Sequence, residues 1–417
     1  MLVSYIFLEF YMIVSYTICE EKGGWMVEEI LYRYNPWWEG RFSLPNIIER
    51  PNFLKLMSKY LLSPQIVFLT GLRRVGKTTL FKLFIKHLLD KEKINPTRIF
   101  YVSLDDYLLS KKTILELVED FRKIHKISFR EKIFLFLDEI GYKEDFEVQL
   151  KNLYDTCNVK IYASSSSSTV LRSKKAYLTG RNIILEVLPL DFEEYLKFKN
   201  ITITKADKHL QDRYFEDYLK TGGIPEYVLY EDIEYLKELV DDIIYKDIAS
   251  FYKVKNISLL KDFFVLLMER AGKQFSINKM ANILKISPDS ARRYLQMFVD
   301  TYLIHLVQRY GKTNERLLSP KKIYASDLGI RVLFTSFRDK GSLFENYIYL
   351  KIKSCNPYYI YKEGIEIDFF IKNKILIEVK YDAQLSEKQL EIFKGIKADK
   401  KVVIKNLQDL NNFLQKL

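Results

Sequence analysis

Gly71, Gly76, Lys77 and Thr78 stand in the spacing G-x-x-x-x-G-K-T within QIVFLTGLRRVGKTT, residues 65–79. Glycines at those positions let backbone N–H groups turn inward and form a nest for an anion. Lysine at the third site reaches the β- and γ-phosphates of a nucleotide, and the threonine hydroxyl offers an oxygen to Mg²⁺. Arg74 and Thr79 lie in the same stretch and are candidates for ATP contact. A second motif follows at Ile133–Glu139, IFLFLDE, a continuous apolar run that ends in two carboxylates. Carboxylates at the tip of a buried strand are costly unless they have work to do. Asp138 is the candidate partner of Thr78 on Mg²⁺, and Glu139 the candidate for polarising an attacking water. An accidental glycine-rich turn would explain the first motif alone but not the pair.

These side chains need a scaffold. Ile66–Thr70 reads as a strand before the glycine loop and Leu80–Leu89 as an amphipathic helix after it, the context the motif requires. Arg98–Leu104, Ile133–Glu139, Val159–Ala163 and Ile183–Leu190 read as further strands, with helices at Lys112–Lys126 and Asp145–Cys157. Alternating strands and helices indicate a parallel sheet covered on both faces, whose ligands sit at the carboxyl ends of the strands. Gly71, Asp138 and Ser164 fall there. Ser164–Ser168 are five consecutive serines, and Ser164 or Ser165 is placed to sense the γ-phosphate. Arg181 precedes a strand and reads equally as an arginine finger acting in trans or as a surface residue in a turn.

The chain has 417 residues, 48% of them hydrophobic, with 30 Tyr and 28 Phe, enough for several cores. Its net charge of +12 suits an anionic partner such as nucleic acid, or reflects a lysine-rich proteome. Cys19, Cys157 and Cys355 are scattered and form no zinc pattern. The expected setting is reducing and cytoplasmic. Residues 1–18 are apolar apart from Glu9 but lack the basic start and cleavage site of a signal peptide. They are short for a membrane span, so stable membrane insertion is not expected. A fresh amphipathic pattern begins at Met26, which reads as an alternative first residue, leaving 1–25 as an over-long start. A tether or a peripheral element are the other readings. The segment NPWWE, residues 35–39, reads as a rigid apolar clamp, for the core ahead of an adenine ring.

In the order GLRRVGKTT, FLFLDE, YASSSSS, LTGR, VLPLDFEEYL and TGGIPEY, the chain from Met26 onward resembles archaeal AAA+-type ATPases related to the STAND class. NPWWE resembles their N-terminal segment. The resemblance implies ATP and Mg²⁺ as cofactors, hydrolysis of ATP, and a possible homo-oligomer. Ala163 stands where glycine is expected before the serine, a departure that bears on the sensor assignment. The helical, charged stretch Asp191–Val254 resembles the lid that covers nucleotide in such proteins.

From Ile257 the pattern changes. Helices at Leu259–Arg270, Ile277–Leu284 and Asp289–Asp300, a turn at Lys285–Pro288, and strands at Leu303–Tyr310 and Lys321–Ala325 spell a winged helix. Ser287 is a candidate N-cap with Pro288 at the first helical position. Lys285, Arg292 and Arg293 are candidates for DNA phosphates, Asn314, Arg316 and Lys321 lie in or near the wing, and packing against the nucleotide domain is the competing use of such a module.

The last segment carries the most unusual charges. A helix at Leu343–Lys353 holds Glu345, strands follow at Tyr358–Tyr361, Ile365–Ile371 and Lys374–Tyr381, and a helix at Ser386–Lys394. Residues two apart on a strand share a face, which pairs Glu366 with Asp368 and Glu378 with Lys380. Asp368, then Glu378-x-Lys380, resembles the PD-(D/E)xK restriction-endonuclease-like fold. That resemblance implies Asp368 and Glu378 as Mg²⁺ ligands and Lys380 as the catalytic residue orienting water. An ordinary half-exposed sheet with a Glu–Lys pair is the alternative. The expectation is therefore an α/β chain: an N-terminal segment (1–55), a P-loop core with a parallel sheet (56–190), a helical lid (191–255), a winged helix (256–335) and a nuclease-like α/β domain (340–417). Its expected work is ATP hydrolysis in association with DNA, with a nucleotide-dependent signalling or assembly switch as the alternative.

Overall fold

The computed structural model describes residues 27–45, 47–167, 178, 180–371 and 374–417. The apolar run 1–18, Met26, Ser168 and Thr179 of LTGR lie outside the described residues. Among the described residues no helix is long and apolar enough to cross a membrane. The chain forms two compact units. One holds the described residues up to Leu69, Thr78–Ser165 and those within 173–185; the other holds Thr70–Lys77, those within 166–172 and Glu186–Leu417.

The five strands foreseen in the first part of the chain are β1 (Ile66–Thr70), β2 (Ile99–Ser103), β3 (Ile133–Asp138), β4 (Val159–Ser165) and β5 (Asn182–Glu186), in the order β2-β3-β4-β1-β5. Parallel registers set Ile99 beside Phe134 and Phe136 beside Tyr162. The Ile66 amide donates to the Arg181 carbonyl at 2.8 Å, where β5 begins beside the start of β1. Every residue of β1 and β3 is buried, as strands covered on both faces must be. Helices Lys77–Asp90, Ile114–His125 and Phe146–Thr156 alternate with the strands. The second of these starts at a capping box, in which the Thr113 hydroxyl accepts the Glu116 amide and the Glu116 carboxylate accepts the Thr113 amide.

Strand β2 is an edge of the sheet. Side chains meet its unpaired backbone: Asn35 accepts the Tyr101 amide at 2.7 Å and donates to the Tyr101 carbonyl at 2.9 Å. The neighbouring indoles of Trp37 and Trp38 both donate to the Ile99 carbonyl, at 3.0 and 2.9 Å. Trp38 stacks on Phe121 with ring centroids 5.5 Å apart. NPWWE is thus core and edge cover in one.

In the second unit, helices Phe192–Phe198, Gln211–Thr221, Pro225–Tyr230 and Ile233–Asp242 lead into a π-helix, Ile243–Ser250. Helices Ile257–Glu269, Ile277–Ile283 and Pro288–Asp300 follow, with Ser287 accepting the Ser290 amide at 3.1 Å as the N-cap. Strands β6 (Gln274–Phe275), β7 (Ile304–Val307) and β8 (Lys321–Ala325) make an antiparallel sheet with β8 in the middle. The strand expected to run to Tyr310 ends at Val307. Beyond it the chain pairs with a different sheet, the Tyr310 amide donating to Tyr359 at 2.7 Å and the Tyr359 amide to Gln308 at 3.1 Å. The link onward to β8 carries a short helix, Thr313–Leu318, with Leu317 and Leu318 exposed.

The last sheet has strands β9 (Tyr358–Lys362), β10 (Ile365–Ile371), β11 (Ile375–Val379) and β12 (Lys400–Ile404), ordered β12-β11-β10-β9. The first three are antiparallel; β12 returns parallel to β11 after helix Glu387–Gly395. Helix Lys340–Ile352 packs into the same core. That core is one continuous cluster: Leu190, Phe215, Tyr324, Phe344, Phe369 and Phe413 all belong to it. The lid-like helices, the three-stranded sheet and the four-stranded sheet are therefore welded by shared apolar burial, the dominant favourable term in folding.

Candidate phosphate site and a buried carboxylate cluster

The glycine loop is bent as its sequence predicts. Gly71 has φ +137° and Gly76 φ +94°. A Cβ on Gly71 would collide with the Val187 carbonyl oxygen, so no other residue fits there without displacing backbone. Lys77, buried at 5% exposure, donates from Nζ to the Gly71 and Leu72 carbonyls at 3.1 and 3.2 Å. Its helix starts at Lys77 itself, which aims the positive end of a 14-residue helix back along the loop. Thr78 and Thr79 occupy its first turn.

Asp138 ends β3 at 1% exposure. Its Oδ2 accepts the Thr78 hydroxyl at 2.5 Å and the Tyr101 hydroxyl at 3.0 Å; its Oδ1 accepts the Ser164 hydroxyl. Burial and the charge of Asp138 hold the Tyr101 phenol well above its ordinary range, so it remains a donor. Glu139 turns into the left-handed region, φ +50°, and its amide donates to Ser164 Oγ at 2.9 Å. Hydroxyl and carboxylate are hard oxygen donors, the kind Mg²⁺ takes, so Thr78 and Asp138 fit that ion. Ser164 stands where a strand-end sensor was expected, despite Ala163 before it.

The structure turns the loop arginines toward acids. Arg73 donates to Asp247 at 2.6 Å, and Arg74, at φ +63°, lies 3.6 Å from Asp242 and over the Tyr235 ring at 4.8 Å. Burial raises the Asp247 carboxyl above its usual range, while Arg73 opposes that shift. Arg181 stands before β5, at the end of the sheet opposite the tips of β3 and β4, and pairs with Asp155 at 3.3 Å. It is not brought to Asp138.

The C-terminal charges do converge. Lys380 pairs with Glu378 at 2.9 Å. The Glu378 carboxylate accepts the Asp368 amide at 3.3 Å, and Asp368 Oδ2 accepts the Val379 amide at 2.9 Å. Burial first, and then the nearby Asp368 charge, push the carboxyls of Glu345 and Glu378 well up from the ordinary range. The unforeseen member is Lys322, wholly buried, with Nζ 2.7 Å from Glu345, 2.6 Å from Glu366 and 3.1 Å from Asp368. Tyr324 adds a hydroxyl to Glu345 at 2.6 Å, and Gln274 an amide to Glu366 at 2.6 Å. Among the described residues no group of three or more His, Cys, Asp or Glu is arranged to hold a metal ion. The cluster's oxygens already surround an ammonium, and they do not fit a divalent cation as they stand.

Residues 63–196 match the family described as AAA domain, and residues 212–341 a domain of unknown function (DUF8612). The chain is 32% identical over 371 residues to the uncharacterized protein MJ1544 of Methanocaldococcus jannaschii, covering 83% of this chain and 81% of that one. It belongs to that protein's family. A second uncharacterized protein of the same organism, MJ1637, is 27% identical over 384 residues, covering 82% of this chain and 80% of its own. The solved Walker-type ATPase PABY2304 of Pyrococcus abyssi is similar over 70% of this chain and 96% of its own, with 14% identity and a TM-score of 0.45.

Within this AAA-domain protein, several motif residues serve packing. Gly223 meets Leu190 so closely that a Cβ would strike the Leu190 backbone, and its amide donates to Asp327 at 2.7 Å. VLPL and GGIP are thus two sides of one crossing, with Asp327 the third. Sequence reading passed over Asp327 and Lys322. The first had a local signal, an acid immediately before the helix Leu328–Thr335, whose Ile330 amide it accepts at 2.9 Å. The second had none, since its partners are 23 to 46 residues distant.

Proposed function

We propose that this AAA-domain protein binds ATP with Mg²⁺ and hydrolyses it in association with DNA. The observation that carries the reading is Asp138: a buried carboxylate at a strand tip that receives the Thr78 hydroxyl at 2.5 Å. Bound there, Mg²⁺ would neutralise charge on the β- and γ-phosphate oxygens. Lys77 would bind those phosphates, exchanging its two carbonyl acceptors for phosphate oxygens. Gly71, Gly76 and the helix start would hold them through backbone N–H groups. Arg74 lies within the same loop, and Thr79 directly after it. Glu139 would accept a proton from the attacking water, and Ser164 would hold Asp138 and report the γ-phosphate. Arg181, at the far end of its own sheet, would act only on a neighbouring copy.

DNA association is supported by the exposed cations of the helix–turn–helix module. Lys285, Arg292 and Arg293 lie at the surface of helix Pro288–Asp300 and the turn before it, and Asn314 on the link to β8 is exposed as well. This arrangement, with the antiparallel sheet β6-β8-β7, is read as a winged helix, and the net charge of +12 favours a polyanion. The test is ATP turnover by the full chain beside two variants. Lys77→Ala should lose ATP affinity by tenfold or more, about 1.4 kcal/mol. Glu139→Gln should bind ATP yet turn it over roughly a hundredfold more slowly. Unchanged turnover in Glu139→Gln would overturn the mechanism.

A further inference from the structure

Lys322 sits on the middle strand of a three-stranded sheet, its backbone paired on both sides, to Gln274 and to Val307. Its side chain is shut away from solvent, yet it ends among three carboxylates at 2.6 to 3.1 Å. A buried ammonium stays charged only if its surroundings replace hydration, and these acids do so. The faces of Tyr324 and Phe369 close the cage at 5.7 and 5.8 Å.

The acids come from elsewhere in the fold: Glu345 from helix Lys340–Ile352, and Glu366 and Asp368 from β10. Of these, Asp368 belongs to the Asp368, Glu378-x-Lys380 spacing that resembles a nuclease metal site, while Glu378 pairs with Lys380 at 2.9 Å. A divalent ion on Asp368 would need its own shell of oxygens, Mg²⁺ at roughly 2.0–2.1 Å, and would lie a few ångströms from a fixed positive charge. Lys322 is wholly buried, and its strand is paired on both sides.

We propose that Lys322 is the resident cation of this cluster: its ammonium takes the position of a divalent metal, so the C-terminal sheet does not cleave nucleic acid and serves as a rigid module riveted to the three-stranded sheet. The rivet joins the domain-of-unknown-function region to the C-terminal sheet through charge as well as apolar contact. It is independent of the nucleotide reading, since none of its residues belongs to the glycine loop or to β3.

The test is an Mn²⁺ titration of the full chain without nucleotide, followed by electron paramagnetic resonance. Wild type and Asp368→Asn should titrate alike. Lys322→Ala should gain one Mn²⁺ site at least tenfold tighter than any in wild type, lost again in Lys322→Ala/Asp368→Asn. An Mn²⁺ site in wild type that Asp368→Asn removes would overturn the proposal, as would a folded Lys322→Ala that gains none. Should Lys322→Ala fail to fold, wild type and Asp368→Asn decide alone, read also by incubation with plasmid and single-stranded DNA in Mn²⁺. No cleavage by either supports the proposal; cleavage by wild type that Asp368→Asn abolishes defeats it.

Discussion

Asp138 and Asp368 are both buried strand carboxylates, and their partners assign them different work. Asp138 is surrounded by neutral hydroxyls from Thr78, Tyr101 and Ser164, which leave its charge available to a cation. Asp368 already faces an ammonium. Asp138→Asn should therefore abolish Mg²⁺-dependent ATP turnover with the fold retained, checked by phosphate release and circular dichroism. Asp327 gives a pH signature. Burial pushes its carboxyl from 3.8 up to about 6, against the pull of backbone amides. The folded state then holds its proton more tightly than the unfolded state, so this group's contribution falls as pH rises from about 4 to about 6 and is level above. Its size is on the order of 1–3 kcal/mol. Urea unfolding at several pH values should show that slope in wild type and its loss in Asp327→Asn.

Among the elements, edge strand β2 has side chains rather than a strand along its open edge. Asn35→Ala would strip both backbone groups of Tyr101 of their partner. The expected loss is about 2 kcal/mol, the cost of leaving buried polar groups unsatisfied, read as a lower urea midpoint with unchanged slope. Helix Pro288–Asp300 depends on its cap. Ser287→Ala should cost about 1 kcal/mol. If the exposed face of that helix meets DNA, Arg293→Ala should weaken binding for all sequences alike and flatten its salt dependence by about one unit.

For the molecule as a whole, the shared core makes a firm prediction about truncation. Tyr347, Phe369 and Phe413 share a cluster with Phe215 and Tyr218, so removing residues 340–417 would bare the lid-like helices. A chain ending at Asp339 should lose cooperative unfolding of the second unit and bind a hydrophobic dye, where an independent C-terminal domain would leave both unchanged.

The residues of the phosphate site were legible because their signals are local. A glycine loop, the lysine after it and an apolar strand ending in acid each lie within fifteen residues, and backbone stereochemistry acts at that range. The β-strand period likewise set Glu366 with Asp368 and Glu378 with Lys380. Strand β12 and helix Leu407–Leu414 escaped notice, since KKVVI carries too short an apolar pattern to mark a strand. By itself, then, the sequence determined the parallel sheet, the loop chemistry and which acids share a face. Tertiary structure alone decided what these charges meet: Lys322 reaches the acids only because two sheets pack side by side, and Arg181 meets Asp155. A side chain's chemistry is set by what desolvates and charges it, and for these residues that neighbour lies tens of positions away along the chain.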